Sequence, residues 1–141
     1  MQKTAAKNLN FINYLNSLFQ LMKPRVMSLV IFTCVVGLLI SPNNVDLINS
    51  SISIIAVALG AGAAGSLNMW YEADVDALMK RTCLRPIPTG KVTKNQALVF
   101  GLLISLLSIF ILYTFSNFLS ALMLFITIFF YVVIYTIWLK K

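Results

Sequence analysis

The sequence predicts an all-α fold, a polytopic membrane helix bundle of four transmembrane helices with both termini cytoplasmic. Three observations predict it. Hydrophobic residues make up 60% of the chain and charged ones 11%, against about 25% charged in a soluble domain. The apolar residues gather in uncharged runs near or above the ~18 residues that a membrane span needs. All eleven Lys and Arg residues fall on one side of a four-span path, while the opposite side carries only Asp46.

The elements follow in order. Residues 9–22 form a weakly amphipathic helix, with Phe11, Ile12, Leu15, Leu18, Phe19 and Met22 on one face. Such a segment either lies in the membrane interface or begins the first span. The first span covers residues 26–40, with Lys23 and Arg25 at its start and Ser41-Pro42-Asn43-Asn44 at its end. It is short for a hydrocarbon core of about 30 Å, but the long stems of the two cations can snorkel.

The second span covers residues 52–70, with Asn49 or Ser50 as N-cap. Its second half is rich in small residues, and Ala56, Gly60 and Ala64 recur every four positions. That spacing lets a neighbouring helix approach closely. The third span covers residues 97–113, preceded by Thr93 and Gln96 in the spacing of a capping box. A turn at 114–117 leads to the fourth span, residues 118–139, and Lys140-Lys141 follow. The chain therefore divides into an N-terminal interfacial segment, 1–22, and a four-helix membrane region, 23–141, whose cytoplasmic loop is 77–94.

Several function classes drop out. The basic residues flank apolar runs and form no soluble stripe, so the net charge of +7 marks topology and not nucleic acid. Cys34 and Cys83 form no C-x-x-C pair, which removes a zinc or redox motif. The chain has no histidine, the commonest metal ligand and general base.

The chemistry concentrates where the second span meets the cytoplasm. Glu72, Asp74 and Asp76 are three of the four acids in the chain. If the helix continues through them, Asn68, Glu72 and Asp76 share one face and Asp74 points elsewhere. Two stacked carboxylates repel, and a divalent cation would relieve the repulsion. Hard oxygens without histidine or thiolate suit Mg2+, which takes one or two carboxylates together with waters and phosphates. Lys80, Arg81, Arg85 and Lys91 follow as candidate phosphate contacts. The segment Arg85-Pro86-Ile87-Pro88-Thr89-Gly90 is a loop stiffened by two prolines. Together these describe a receptor for a lipid diphosphate, with the head group at the interface and the chain among the helices. Solvated carboxylates beside topological arginines are the plainer alternative, and spacing alone leaves both open.

The stretch from Asn68-Met69-Trp70-Tyr71-Glu72-Ala73-Asp74-Val75-Asp76 through Lys80-Arg81-Thr82, followed by Arg85-Pro86-Ile87-Pro88-Thr89-Gly90-Lys91-Val92, closely resembles the protohaem IX farnesyltransferases (haem O synthases). These belong to the UbiA superfamily of intramembrane prenyltransferases. Lys23-Pro24-Arg25-Val26-Met27-Ser28 and Tyr135-Thr136-Ile137-Trp138-Leu139-Lys140 resemble the same family. Met69, where quinone prenyltransferases typically carry aspartate, favours the haem branch.

The resemblance implies transfer of a farnesyl group from farnesyl diphosphate to haem B, giving haem O. It implies Mg2+ as the cofactor, with Asn68, Glu72 and Asp76 as catalytic metal ligands. It also implies Lys80, Arg81, Arg85 and Lys91 as diphosphate contacts. Glu72 stands where the family motif has aspartate, so the ligand there is one methylene longer. The family has about nine spans and a second acidic cluster, so this chain resembles the N-terminal half of a UbiA-type bundle. That half would need a complementary chain or self-association to act. The implied location is a bacterial cytoplasmic membrane, or a mitochondrial inner membrane if the source is eukaryotic. The alternatives are a small four-span transporter, which would place an acid deep within a span, and a structural subunit indifferent to Asn68, Glu72 and Asp76.

Overall fold

The computed structural model describes residues 2–41 and 46–139, with side chains from Phe11 onward except those of Ile137 and Leu139. The described chain is helical, running α1 (Gln2–Leu21), α2 (Pro24–Ile40), α3 (Leu47–Leu78), α4 (Lys94–Phe115), α5 (Phe118–Phe129) and a π-helical segment (Phe130–Leu139). Among the described residues three helices are long and apolar enough to cross a membrane: α3, α4, and α5 continued to Thr136. The end of α1 and α2 together make a fourth such unit, bent by 55° at residues 22–23. The predicted second, third and fourth spans are recovered. The predicted first span, 26–40, corresponds to α2, which reaches the length of a span only together with the end of α1.

The break has a local cause. Pro24 occupies the first turn of α2, where its missing N–H costs no hydrogen bond. Lys23 before it adopts a left-handed conformation with φ 53°. Met22 and Lys23 donate to Phe19 and Gln20, closing α1 with tight turns. The helix predicted over 9–22 is thus separate from α2. Leu21 is fully buried against Met69, Val92 and Ala97, so the end of α1 docks on the base of the bundle. The Pro42-Asn43-Asn44 terminator and Lys140-Lys141 lie outside the described residues.

α3 is the central element, packing along α4 and α2 and touching α5 and the π-helical segment. It is longer than the sequence predicts. Its N-cap is Asp46, whose carboxylate accepts from Ile48 N at 3.2 Å and binds Asn49 Nδ2 at 2.7 Å. Asn49 and Ser50, the predicted caps, lie inside the helix instead. An acid at the N-cap outcompetes them because it also complements the helix dipole. At the other end α3 runs unbroken through Asn68 and Asp76 to Leu78, as the stacked-face argument requires.

The glycines of α3 meet Ser108 of α4, Leu124 of α5 and Met22 just past the end of α1. A Cβ on Gly60 would stand 2.8 Å from Ser108 Oγ, and one on Gly62 would stand 2.5 Å from Met22 Cε. From α4, a Cβ on Gly101 would stand 2.8 Å from Leu67 Cγ. Two buried hydroxyls tie α4 to α3: Ser108 Oγ donates to Ala56 O at 2.7 Å, and Ser66 Oγ to Ala97 O at 3.2 Å. Close backbones and interhelical hydroxyl bonds are the means by which helices associate in lipid. The outward surface carries Phe32, Leu39, Leu103, Phe110 and Phe125, all exposed. Polar groups inside and apolar groups outside mark an integral membrane protein. Every buried side-chain polar atom among the described residues has a partner.

α4 begins as predicted, with Thr93 and Gln96 forming a complete capping box at 3.2 and 3.0 Å. The fourth span departs from expectation. It is α-helical only to Phe129 and then widens into the π-helical segment, a change no residue pattern announces.

Candidate functional site

The site lies where the basic ends of α2, α3 and α4 converge, and it is built around α3. Asn68 and Asp76 are eight residues apart on one helix face, and both are almost fully buried, at 1% and 3% exposure. Each carries a cation. Lys23 Nζ donates to Asn68 Oδ1 at 2.5 Å, and Arg85 pairs with Asp76 Oδ2 at 2.6 Å. Asn68 Nδ2 donates to Thr136 Oγ1 at 3.2 Å, linking α3 to the π-helical segment. Glu72 lies between the two on the same face and is half-buried.

The loop after α3 is a succession of turns, which explains how Arg85 reaches Asp76. Thr82 and Cys83 N–H both donate to Met79 O, and Arg85 N–H donates to Thr82 O at 3.0 Å. Thr82 Oγ1 donates to the Asp76 backbone carbonyl at 3.0 Å, fastening the loop to the helix end. Lys91 and Val92 N–H both return to Pro86 O, closing the second half. That closure needs Gly90 at φ +73°, a conformation in which a side chain would be strained. Buried Pro86 and Val92 pin the loop to the bundle.

The predicted contacts do not all converge. Arg85 is brought into the site. Lys80 and Arg81 are exposed on the first turn of the loop. Lys91 faces a separate recess of about 490 Å3 that it shares with Tyr14, Asn16 and Gln20 of α1. Asp74 points away, as its helical position dictates, and pairs with Lys94 of α4 at 2.6 Å. It is 82% exposed, so this pair fastens α4 to α3 only weakly.

Lys23 and Thr136 belong to the site, although residue type and spacing do not single them out. Both lie in the segments that carry the resemblance, which is the only signal in the sequence that points to them. Neither is near Asn68 in the chain.

Lys23 also opens a large apolar groove. The groove, about 850 Å3, runs between α2, α3, α4 and α5 and is lined by Val26, Val30, Ala61, Leu112, Met123 and Ile128 among others. Asp46 and Lys23 are the charged residues of its lining. They sit at opposite ends, because α2 starts at the end of the bundle that carries the loop after α3, and α3 starts at the other. Tyr131 lines the Lys23 end, its ring stacked on Tyr135 at 5.3 Å. Cys34 also lines the groove, whereas Cys83 Sγ donates to Lys80 O at 3.5 Å in the loop.

The donor set tests for a metal. Asn68, Glu72 and Asp76 offer an amide and two carboxylates. Among the described residues no three acids or thiols gather into a self-sufficient metal cage. An amide with one or two carboxylates is the share of a shell that Mg2+ takes from protein, the rest being water and phosphate. The arrangement can hold an anionic head group between Lys23 and Arg85, with an apolar tail in the groove.

The sequence is similar to known proteins over most of its length. The profile of the UbiA prenyltransferase family matches residues 29–141. A protoheme IX farnesyltransferase of Pelagibacter ubique is 60% identical over 141 residues, covering 99% of this chain and 46% of that protein. One from Bartonella bacilliformis is 58% identical over 121 residues, covering 86% and 39%. One from Beijerinckia indica is 60% identical over 123 residues, covering 87% and 38%. The chain thus spans about half the length of the curated relatives it matches. No solved structure matches it significantly.

Proposed function

Since the chain belongs to the UbiA prenyltransferase family, we propose that it takes part in the transfer of a farnesyl group from farnesyl diphosphate to haem B, giving haem O, in a bacterial cytoplasmic membrane. One observation carries the reading. Buried Asn68 and Asp76 share a helix face, each holds a cation, and one of those cations opens the apolar groove.

The residues divide the work. The diphosphate lies at the interface against Lys23 and Arg85, whose donors suit phosphate oxygens. Lys80 and Arg81, exposed on the same loop, raise the local positive potential that draws the anion in. Asn68, Glu72 and Asp76 would hold Mg2+, which neutralises charge developing on the departing diphosphate. The farnesyl chain occupies the groove, whose volume lies within the ~300–1,000 Å3 of small-molecule sites.

Reaction begins when the allylic C–O bond breaks and the diphosphate leaves with the electron pair. The face of Tyr131 stabilises the allylic cation, and the apolar walls keep water from it. The terminal vinyl carbon of haem attacks the cation, which moves the positive charge to the carbon next to the ring. Water adds there and gives up a proton to the released diphosphate, completing the hydroxyethyl group.

A transporter would need a titratable acid midway along its path. The groove carries charge only at its ends, which disfavours that reading. A photoreactive analogue of farnesyl diphosphate tests the proposal. Covalent label should map to α2, α3 and α5 residues such as Val30, Ala61 and Met123, and should fall when Mg2+ is removed. Label spread over the outer surface, indifferent to Mg2+, would overturn it.

A further inference from the structure

We propose that Thr136 is a positioning residue that fixes which way round the Asn68 amide sits, so that its oxygen and not its nitrogen faces the head of the groove. The inference rests on the head-group reading above for its functional consequence. Its structural basis is independent of it.

The argument is one of proton counting. A side-chain amide has two ends of similar shape and opposite polarity, so a buried one needs a neighbour to choose between them. Asn68 is 1% exposed, and water cannot make that choice. Its amide hydrogen-bonds Lys23 on one side and Thr136 on the other. A threonine hydroxyl has a single proton to give. Thr136 gives it to Tyr131 O at 2.9 Å, five residues back. Toward Asn68 the hydroxyl can therefore only accept, and the NH2 end must face it. The carbonyl end then faces Lys23, an ammonium with donors only.

The π-helical segment makes this possible. In a helix of this width the carbonyl five residues back is the natural partner of residue 136. Tyr131 O is thus in reach of the Thr136 hydroxyl, and Thr136 itself is 1% exposed and aimed at α3. Widened turns of this kind recur at functional sites. With the amide reversed, its NH2 would confront the ammonium of Lys23, and the amide oxygen would no longer face the groove head.

The substitution Thr136→Val removes the hydroxyl while keeping the shape, and Thr136→Ser keeps the hydroxyl. Lys23 reports the outcome without metal or substrate. In the detergent-solubilised chain, acetylation of Lys23 by a succinimidyl ester, followed by mass spectrometry of its peptide, should be at least threefold faster in Thr136→Val. Thr136→Ser should match the unaltered chain. Equal rates in all three would overturn the proposal. Should Thr136→Val not fold, 15N-asparagine labelling of the unaltered chain decides the same point. The Asn68 NH2 protons should show a nuclear Overhauser effect to the Thr136 methyl and none to the Lys23 ε-methylene, and the reverse pattern overturns it. Adding farnesyl diphosphate and Mg2+ to the unaltered chain should slow Lys23 acetylation. Absence of that protection, with the variant effect intact, would overturn the head-group reading while leaving the orientation of Asn68 established.

Discussion

Asp76 and Asp74 are two residues apart on one helix, and their environments differ in a way that predicts different responses to substitution. Asp76 is buried, holds Arg85, and takes the Thr82 hydroxyl on its backbone carbonyl. Asp74 is exposed and pairs with an exposed lysine. Asp74→Ala should therefore shift the chain's stability in detergent, read from its thermal midpoint, by no more than about 1 kcal/mol. Arg85→Gln removes one partner of a buried pair and leaves Asp76 uncompensated, which should cost about 3 kcal/mol. It should also weaken prenyl diphosphate binding about tenfold, since one head-group cation is lost. The Asn68–Glu72–Asp76 face is legible in the sequence, because it depends only on the helical repeat. Lys23 and Thr136 are not legible as neighbours of Asn68. They stand 45 and 68 residues from it, and only tertiary packing brings them there. Lys80, Arg81 and Lys91 show the opposite failure. Charge and proximity in sequence suggest one cluster, but the turns of the loop disperse them.

Among the elements, α3 and α4 owe their contact to the absence of side chains. Gly101→Leu would drive a side chain into Leu67, whose Cγ would lie only 2.8 Å from the new Cβ, and should destabilise the bundle by about 1–3 kcal/mol. Gly60→Ala should have a more specific effect, since the added methyl displaces Ser108 Oγ from Ala56 O. Infrared or hydrogen-exchange measurement should then show the α3 backbone loosened around Ala56. Thr93→Ala removes half of the capping box and should cost about 1 kcal/mol in the same thermal assay. The box and the small-residue spacing can be read from the sequence because both are local patterns. The N-cap of α3 is harder to read, because three nearby residues, Asp46, Asn49 and Ser50, all qualify by type, and the extra match of a carboxylate to the helix dipole selects among them. The widening after Phe129 is hidden for a different reason. Tyr, Thr, Val and Ile suit either helix, so packing against α3 decides its pitch.

For the whole molecule, hydropathy and the placement of lysine and arginine are enough to lay out the bundle, because lipid leaves the backbone few options. The bend at Lys23 refines that layout, since it sets α1 off from the first span and brings an ammonium to the head of the groove. The groove itself is not readable in the sequence, as its walls come from four helices. The 141 residues hold a single acidic cluster, so the isolated chain should show little or no haem O formation from haem B and farnesyl diphosphate, while still binding the diphosphate. Product analysis by chromatography checks this. Robust turnover abolished in Asp76→Ala would show that one cluster suffices. The central claim, that the Asn68–Asp76 face binds Mg2+ and a prenyl diphosphate, is tested most directly by calorimetric titration of farnesyl diphosphate into the purified chain with and without Mg2+. The account predicts saturable binding that needs Mg2+ and weakens at least tenfold, about 1.4 kcal/mol, in Asp76→Ala. Binding of equal strength without the metal and in the variant would contradict it.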